Sequence, residues 1–252
     1  MCTLVLLRRP NHKWPLLLGA NRDEMIDRPW LAPERHWPDR PQVVAGKDQI
    51  AGGSWLGMND HGVLAGVMNR SGTLGSKPGK RSRGELILQA LDFLTAADAI
   101  DSLADTLAEK YQAFNLVVAD SHDAFWISHQ GTETSQSITC ENLPEGVSML
   151  TSMDLNDPRS PRINTYLPKF RSTEVPDPDA ENGWRRWAEL LADRTVDPKF
   201  GPTSAINVRN DKFSTLSSSL IALPSEKHTG AKPIWLFSSG PPDEAPFYSV
   251  DL

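Results

Sequence analysis

Cys2 is the residue whose chemistry depends most on its place in the chain. Removal of the initiator methionine would leave it as the N-terminal residue, with thiol and α-amine on one residue. An α-amine with an ordinary pKa of about 8 can act as general base for the thiol beside it. A cysteine here is equally a small apolar residue opening a strand, so the chemistry needs partners. It needs a carboxylate to hold the amine, a cation to favour the thiolate and grip an anionic transition state, and amide donors for the oxyanion. The run Asn21-Arg22-Asp23-Glu24 offers one of each in Asp23, Arg22 and Asn21. A charged turn with a local Arg–Asp pair would use the same residues. Asn69, after the apolar run 63–68, is a second amide that would face the same site if its strand lay beside the first hairpin. Alone, an Asn there caps a turn.

The elements that must position these groups are legible from patterning. Residues 3–9 and 16–20 are β-rich runs around an Asn-His-Lys turn, so the chain opens with a hairpin whose second strand ends in the polar cluster. Residues 26–48 are rich in Pro and Arg and read as an extended loop. Asn59 to Gly62 reads as a hairpin turn. Ser82-Arg83-Gly84-Glu85 has capping-box spacing, and Leu86, Ile87, Ala90, Leu91 and Leu94 follow at helical spacing. Thr95 caps a second helix with Ala96, Ile100, Leu103 and Leu107 on one face. Strands return at 114–119, 124–127 and 147–151. Trp184, Trp187, Leu190 and Leu191 mark an amphipathic helix, and strands are expected at 204–208, 219–223 and 233–238. Segregated runs of strands and helices predict an α+β fold, and the lack of a linker or repeat predicts a single domain over 1–252. On an extended strand Arg22 leaves the face that Asn21 and Asp23 share.

Composition narrows the function classes. The 252 residues hold 26 Lys and Arg against 32 Asp and Glu, a net charge of −6, which disfavours a nucleic-acid partner. No apolar run reaches the ~20 residues of a spanning helix, so no membrane span is expected. The N-terminal apolar stretch precedes its positive charges, the wrong order for a secretory signal, so a cytoplasmic location is expected. Two cysteines, Cys2 and Cys140, make no disulfide framework. The six histidines are scattered without metal-ligand spacing, so neither a metal nor a cofactor is expected. The loop 75–82 is one residue short of a phosphate loop and has Arg81 at the magnesium-binding position. Lys77, Lys80, Arg81 and Arg83 could bind an anion or form a solvated basic loop.

Taken in order, Met1-Cys2, Gly19-Ala20-Asn21-Arg22-Asp23-Glu24, Arg28-Pro29, Gly52-Gly53-Ser54-Trp55-Leu56-Gly57 and Ser82-Arg83-Gly84-Glu85 resemble the NRDE family, of the transport and Golgi organization protein 2 type. That resemblance implies kinship with N-terminal nucleophile (Ntn) hydrolases of the choloylglycine hydrolase and penicillin acylase type. It implies a four-layer αββα sandwich and cleavage of a linear amide or related acyl substrate by a processed cysteine. It casts Cys2 as nucleophile, Asp23 as holder of the amine, Asn21 and Asn69 as oxyanion donors, and Trp55 and Arg28 as substrate contacts. Asn59-Asp60-His61-Gly62 resembles the hydrolases' Asn-Glu-x-Gly hairpin. The chain departs from the hydrolase pattern in three places. Ala20 replaces the strand arginine, Leu150-Thr151-Ser152 lacks the second asparagine, and Thr215 to Ser219 lacks a late arginine. The alternative is a non-catalytic lipid, acyl or haem binding and trafficking protein on the same fold. The partner expected is a small acyl or amide ligand; the oligomeric state is left open.

Overall fold

A computed structural model describes residues 2–104, 108–131 and 138–252. In chain order the elements are β1 (Thr3–Arg8), β2 (Leu16–Met25), β3 (Trp30–Glu34), β4 (Val43–Asp48), β5 (Leu56–Asn59) and β6 (Leu64–Asn69). These are followed by α1 (Gly84–Ala90), α2 (Ala96–Ala104), β7 (Phe114–Ala119), β8 (Ala124–His129), β9 (Ile138–Asn142) and β10 (Gly146–Leu150). Last come α3 (Pro161–Ser172), α4 (Arg185–Leu191), β11 (Phe213–Leu223), β12 (Ile234–Ser238) and β13 (Tyr248–Ser249). No helix among the described residues is long and apolar enough to cross a membrane. The α+β expectation is met by two antiparallel sheets, each belonging to one of two compact units.

The first unit comprises the chain up to Asp27 together with Pro144–Asp251. Its six strands lie in the order β10-β1-β2-β11-β12-β13, so β2 is paired on both edges. Val5, Leu7, Leu17, Leu220 and Ala222 of the sheet pack with Ile163, Tyr166 and Phe170 of α3 and with Trp187 and Leu191 of α4. The odd-numbered positions of β1 and β2 therefore face the helices. α3 starts at Ser160, whose hydroxyl accepts from the Ile163 N–H, with Pro161 at the first helical position where a missing N–H is harmless. Pro161 and Pro168 interrupt the periodicity of this helix, so the sequence pattern does not predict it.

The second unit is Arg28–Leu143, with strand order β3-β4-β5-β6-β7-β8-β9. Leu86, Ile87, Leu91, Ile100 and Leu103 of the helical segment pack against Val43, Ala45, Val63, Ala65, Leu116 and Val118 of the sheet. Both helices occur where expected. α1 ends at Ala90, so Leu94 is exposed, and Leu107 lies outside the described residues. Gly53 and Gly84 meet backbone to backbone: a Cβ on Gly53 would lie 2.5 Å from the carbonyl carbon of Gly84. Ser54 N–H donates to Gly84 O at 3.1 Å. The Gly-Gly-Ser-Trp and Ser-Arg-Gly-Glu motifs are thus two halves of one close contact.

Two regions differ from expectation. Residues 26–48 contain β3 and β4 rather than loop alone. Pro33 is tolerated because β3 is an edge strand whose register shifts between Leu31 and Glu34. Residues 204–208 are not a strand: Ser204 closes a short 3-10 turn, Pro202–Ser204, and 205–208 follow as irregular chain. There the Ile206 carbonyl and the Val208 N–H bond to polar side chains.

Candidate active site

The register of the first hairpin settles which groups meet. Thr3 pairs with Asn21 and Leu4 with Ala20, so one step further sets Cys2 opposite Arg22. Thr3, Asn21 and Asp23 face the helices, and Cys2 and Arg22 share the other face. Arg22 lies apart from Asn21 and Asp23, as strand alternation requires, and it is Arg22 that accompanies the thiol.

Cys2 is half-buried and free of any disulfide. Its thiol donates weakly to the Asp23 carbonyl at 3.6 Å. Burial pushes the thiol up, and the negative charge of Asp23 adds to that; the positive charges of the chain's α-amine and of Arg22 pull downward without offsetting it. Cys140, the other cysteine, is exposed.

Asp23 is buried in a polar network on the helix-facing side. Its Oδ2 accepts from Arg162 Nη1 at 2.9 Å, and its Oδ1 accepts from the Thr215 hydroxyl at 2.7 Å. The side chains of Arg162 and Asp23 are 2% and 0% exposed. Arg162 also donates to Thr3 Oγ1 at 2.7 Å and to Thr203 O at 3.1 Å. A bulge between Thr215 and Ser217 makes this network possible: Ser218 pairs with Asn21 and Thr215 with Asp23, so residues three apart on β11 reach the same face.

Asn21 is engaged differently from the expectation. Its two amide hydrogens go to Leu191 O at 2.8 Å and Ile206 O at 2.9 Å, and its Oδ1 lies 2.8 Å from the Ser218 hydroxyl. An amide has two N–H donors, so this side chain, on the face away from the thiol, has none left for an oxyanion. It ties β2 to the end of α4.

Asn69, Trp55 and Arg28 belong to the second unit. Asn69 ends β6, opposite Phe114. The Trp55 ring lies against Gly46, where a Cβ would come within 2.3 Å, and stands edge-on to Trp30 at 5.8 Å between centroids. Arg28 Nε pairs with Asp48 Oδ2 at 2.6 Å, while Asp48 Oδ1 accepts from the N–H groups of Ile50 and Ala51. That makes Arg28 a brace for the turn before Gly53, which engages much of the charge proposed for substrate. The basic loop is engaged too. Arg83 donates to the carbonyls of Thr73, Gly75 and Ala113, and Arg81 pairs with Glu85.

Sequence reasoning missed Arg162, Thr215 and Thr3. The late arginine sought near 215–219 is absent there, and a buried arginine enters from α3 instead. The one available signal was the Ser160-Pro161 helix start, which places Arg162 in the first turn.

Known proteins place this geometry in context. In overall structure the chain is similar to penicillin V acylase from Agrobacterium tumefaciens, with a TM-score of 0.54 at 14% identity over 100% of this chain and 86% of that one. It is also similar to the Caenorhabditis elegans N-acylethanolamine-hydrolyzing acid amidase ortholog, with a TM-score of 0.55 at 14% identity over 87% and 92%. At that identity the likeness is one of fold, and the fold is of the Ntn-hydrolase type expected. In sequence, the transport and Golgi organization protein 2 homolog of Bos taurus is 38% identical over 111 residues, 42% of this chain and 38% of that protein. The Mus musculus homolog is 34% identical over 113 residues, again 38% of its length. The match thus spans well under half of these curated relatives. The family profile described as "Transport and Golgi organisation 2" matches residues 1–232, and the chain belongs to that family.

Proposed function

We propose that the protein is an N-terminal-cysteine hydrolase of linear amides or related acyl compounds, acting once the initiator methionine is removed. The observation that carries this reading is Cys2 at the mouth of β1, across from Arg22 and bonded to the Asp23 carbonyl. The thiol of Cys2 gives its proton to its own α-amine, and Sγ forms a bond to the acyl carbon. The C–N bond of the tetrahedral adduct breaks as the amine returns that proton to the leaving nitrogen. Water then cleaves the thioester and restores the thiol. Arg22 is the cation on the thiol's face and favours both thiolate and oxyanion. Asp23 keeps a fixed negative charge behind the site. Asn21 holds the strand.

A second reading, non-catalytic binding of a lipid, acyl or haem ligand on the same fold, draws support from two observations. The thiol is pushed upward rather than activated, and the Asn21 amide is fully engaged. The names of the structural likenesses, an acylase and an amidase, favour the first reading and the linear-amide class of substrate.

The test begins with the intact mass of the purified protein. Loss of one methionine, followed by Cys2-dependent release of amine from a panel of N-acyl amides, is the expected result; Cys2→Ala then abolishes turnover. Full retention of methionine, or equal turnover in Cys2→Ala, refutes the mechanism and leaves the binding reading.

A further inference from the structure

We propose that Arg162 is the positioning residue of the Cys2 site: it holds the Asp23 carboxylate on the helix-facing side of the sheet and balances its charge, leaving Arg22 to set the field at the thiol. This rests on the reading of Cys2 as the reacting group and requires nothing about the substrate.

The position is an unfavourable one for an arginine. Arg162 sits in the first turn of α3, at the positive end of the helix dipole, where a cation is disfavoured. It is also almost wholly buried, which strips its hydration. An apolar side chain of similar volume would fill that space without either penalty, and replacing a buried ion pair by apolar residues is often neutral or stabilising. The guanidinium is nevertheless placed with one nitrogen between Thr3 Oγ1 and Asp23 Oδ2, and so bridges the two strands that flank Cys2 in sequence and in register.

To the charge around the thiol β2 contributes Arg22 and Asp23, and the chain contributes its α-amine. β10, on the other side of β1, runs into the uncharged Thr151 and Ser152. Asp23 works against the thiolate and Arg22 works for it. With Arg162 beside it, Asp23 belongs to a neutral pair and its opposition is damped. Without Arg162 its full charge would bear on Cys2 through a poorly solvated layer.

The experiment measures the pH dependence of Cys2 alkylation by iodoacetamide, read by peptide mass, in a Cys140→Ser background. Thiolate fraction governs this rate, so no substrate is needed. Arg162→Gln should move the profile to higher pH by about half a unit or more, making labelling at neutral pH at least about threefold slower. Arg162→Lys, which keeps the charge, should restore the profile. Adding Asp23→Asn to Arg162→Gln should return it toward that of the parent, because both charges are gone. Should Arg162→Gln not fold, Asp23→Asn alone still decides: it leaves Arg162 unbalanced and should speed labelling. An unchanged profile in the folded Arg162→Gln protein, or in Asp23→Asn, overturns the proposal and leaves Arg162 a purely structural residue. Absence of turnover in the amide screen would refute the hydrolase reading while leaving this result intact.

Discussion

Each unit buries an arginine on a motif-bearing framework, and the two are satisfied in different ways. In the first unit, Arg162 faces the carboxylate of Asp23, with the Thr3 hydroxyl and one carbonyl around it. In the second, Arg83 donates to the carbonyls of Thr73, Gly75 and Ala113 and to the Thr73 hydroxyl, stitching a loop to the start of β7. Carbonyl oxygens have little freedom to change protonation or position, so the Arg83 arrangement suits a scaffold. A carboxylate carries a full charge whose balance can be tuned, so the Arg162 arrangement suits a site. The density of polar residues in a motif does not by itself separate support from chemistry; the identity of the acceptor does.

The sharpest way to break the comparison is to remove each cation. Arg162→Met should lower unfolding free energy by about 3–5 kcal/mol, because Asp23 is left buried without its partner. Asp23→Asn added to it should recover much of that loss in urea denaturation. Arg83→Met has no single second-site change that could rescue it, and such a rescue would mean that the two arginines are held alike. Next in size is Gly84→Ala, at about 3 kcal/mol, because the added methyl would meet the backbone of Ser54 at 2.8 Å. Thermal melting should show this loss, and a melting temperature at the parental value would mean that the two motifs do not depend on close approach.

Thr215→Val is expected to be milder, at about 2 kcal/mol. It removes a hydrogen bond to a carboxylate and leaves the Val208 N–H without its acceptor. Thr215→Ser should be close to parental, which separates loss of the hydroxyl from loss of packing.

The smallest effect lies in the second unit and sharpens the contrast between ionic and neutral support. Burial would raise the pKa of Asp48, but the bond from Arg28 and the N–H groups of Ala51 and Ile50 outweigh it and hold the group below the ordinary carboxylate value. A depressed folded-state pKa stabilises above the unfolded value, and that contribution is lost as pH falls through the folded one. Stability should therefore decline from about pH 4 downward, and Asp48→Asn should flatten that decline. The difference should stay under about 1 kcal/mol, since the pair is partly solvated. An identical acid limb in the variant would remove Asp48 from the account.

Much of this architecture was legible because periodicity reports burial. The β1–β2 and β5–β6 hairpins, β7 and β8, and the three amphipathic helices α1, α2 and α4 all follow from which positions are apolar. What escaped did so for physical reasons. The edge strand β3 carries Pro33 and is largely exposed, so it has no alternation to read. Helix α3 carries two prolines of a kind that usually ends helices, Pro161 harmless at the first helical position and Pro168 in the interior. The site was half legible. The cluster at 21–24 was found, and strand alternation separated Arg22 from its neighbours. Hairpin register decides which side chains share a face with the thiol, but which face meets the helices is fixed by segments far away in sequence. Arg162 was hidden for the same reason: 139 residues separate it from Asp23.

The bulge at Leu216 has a consequence for how this segment can vary over time. It works as a spacer one residue thick, and it turns Thr215 toward Asp23 while Ser218 still reaches Asn21. Deleting one residue between them would leave the strand hydrophobicity nearly unchanged, yet it would point the threonine hydroxyl to the opposite side. The stretch from 215 to 218 should therefore tolerate exchanges of side chain better than changes of length. In a deletion scan of β11 the intolerant positions should fall between these two hydroxyls.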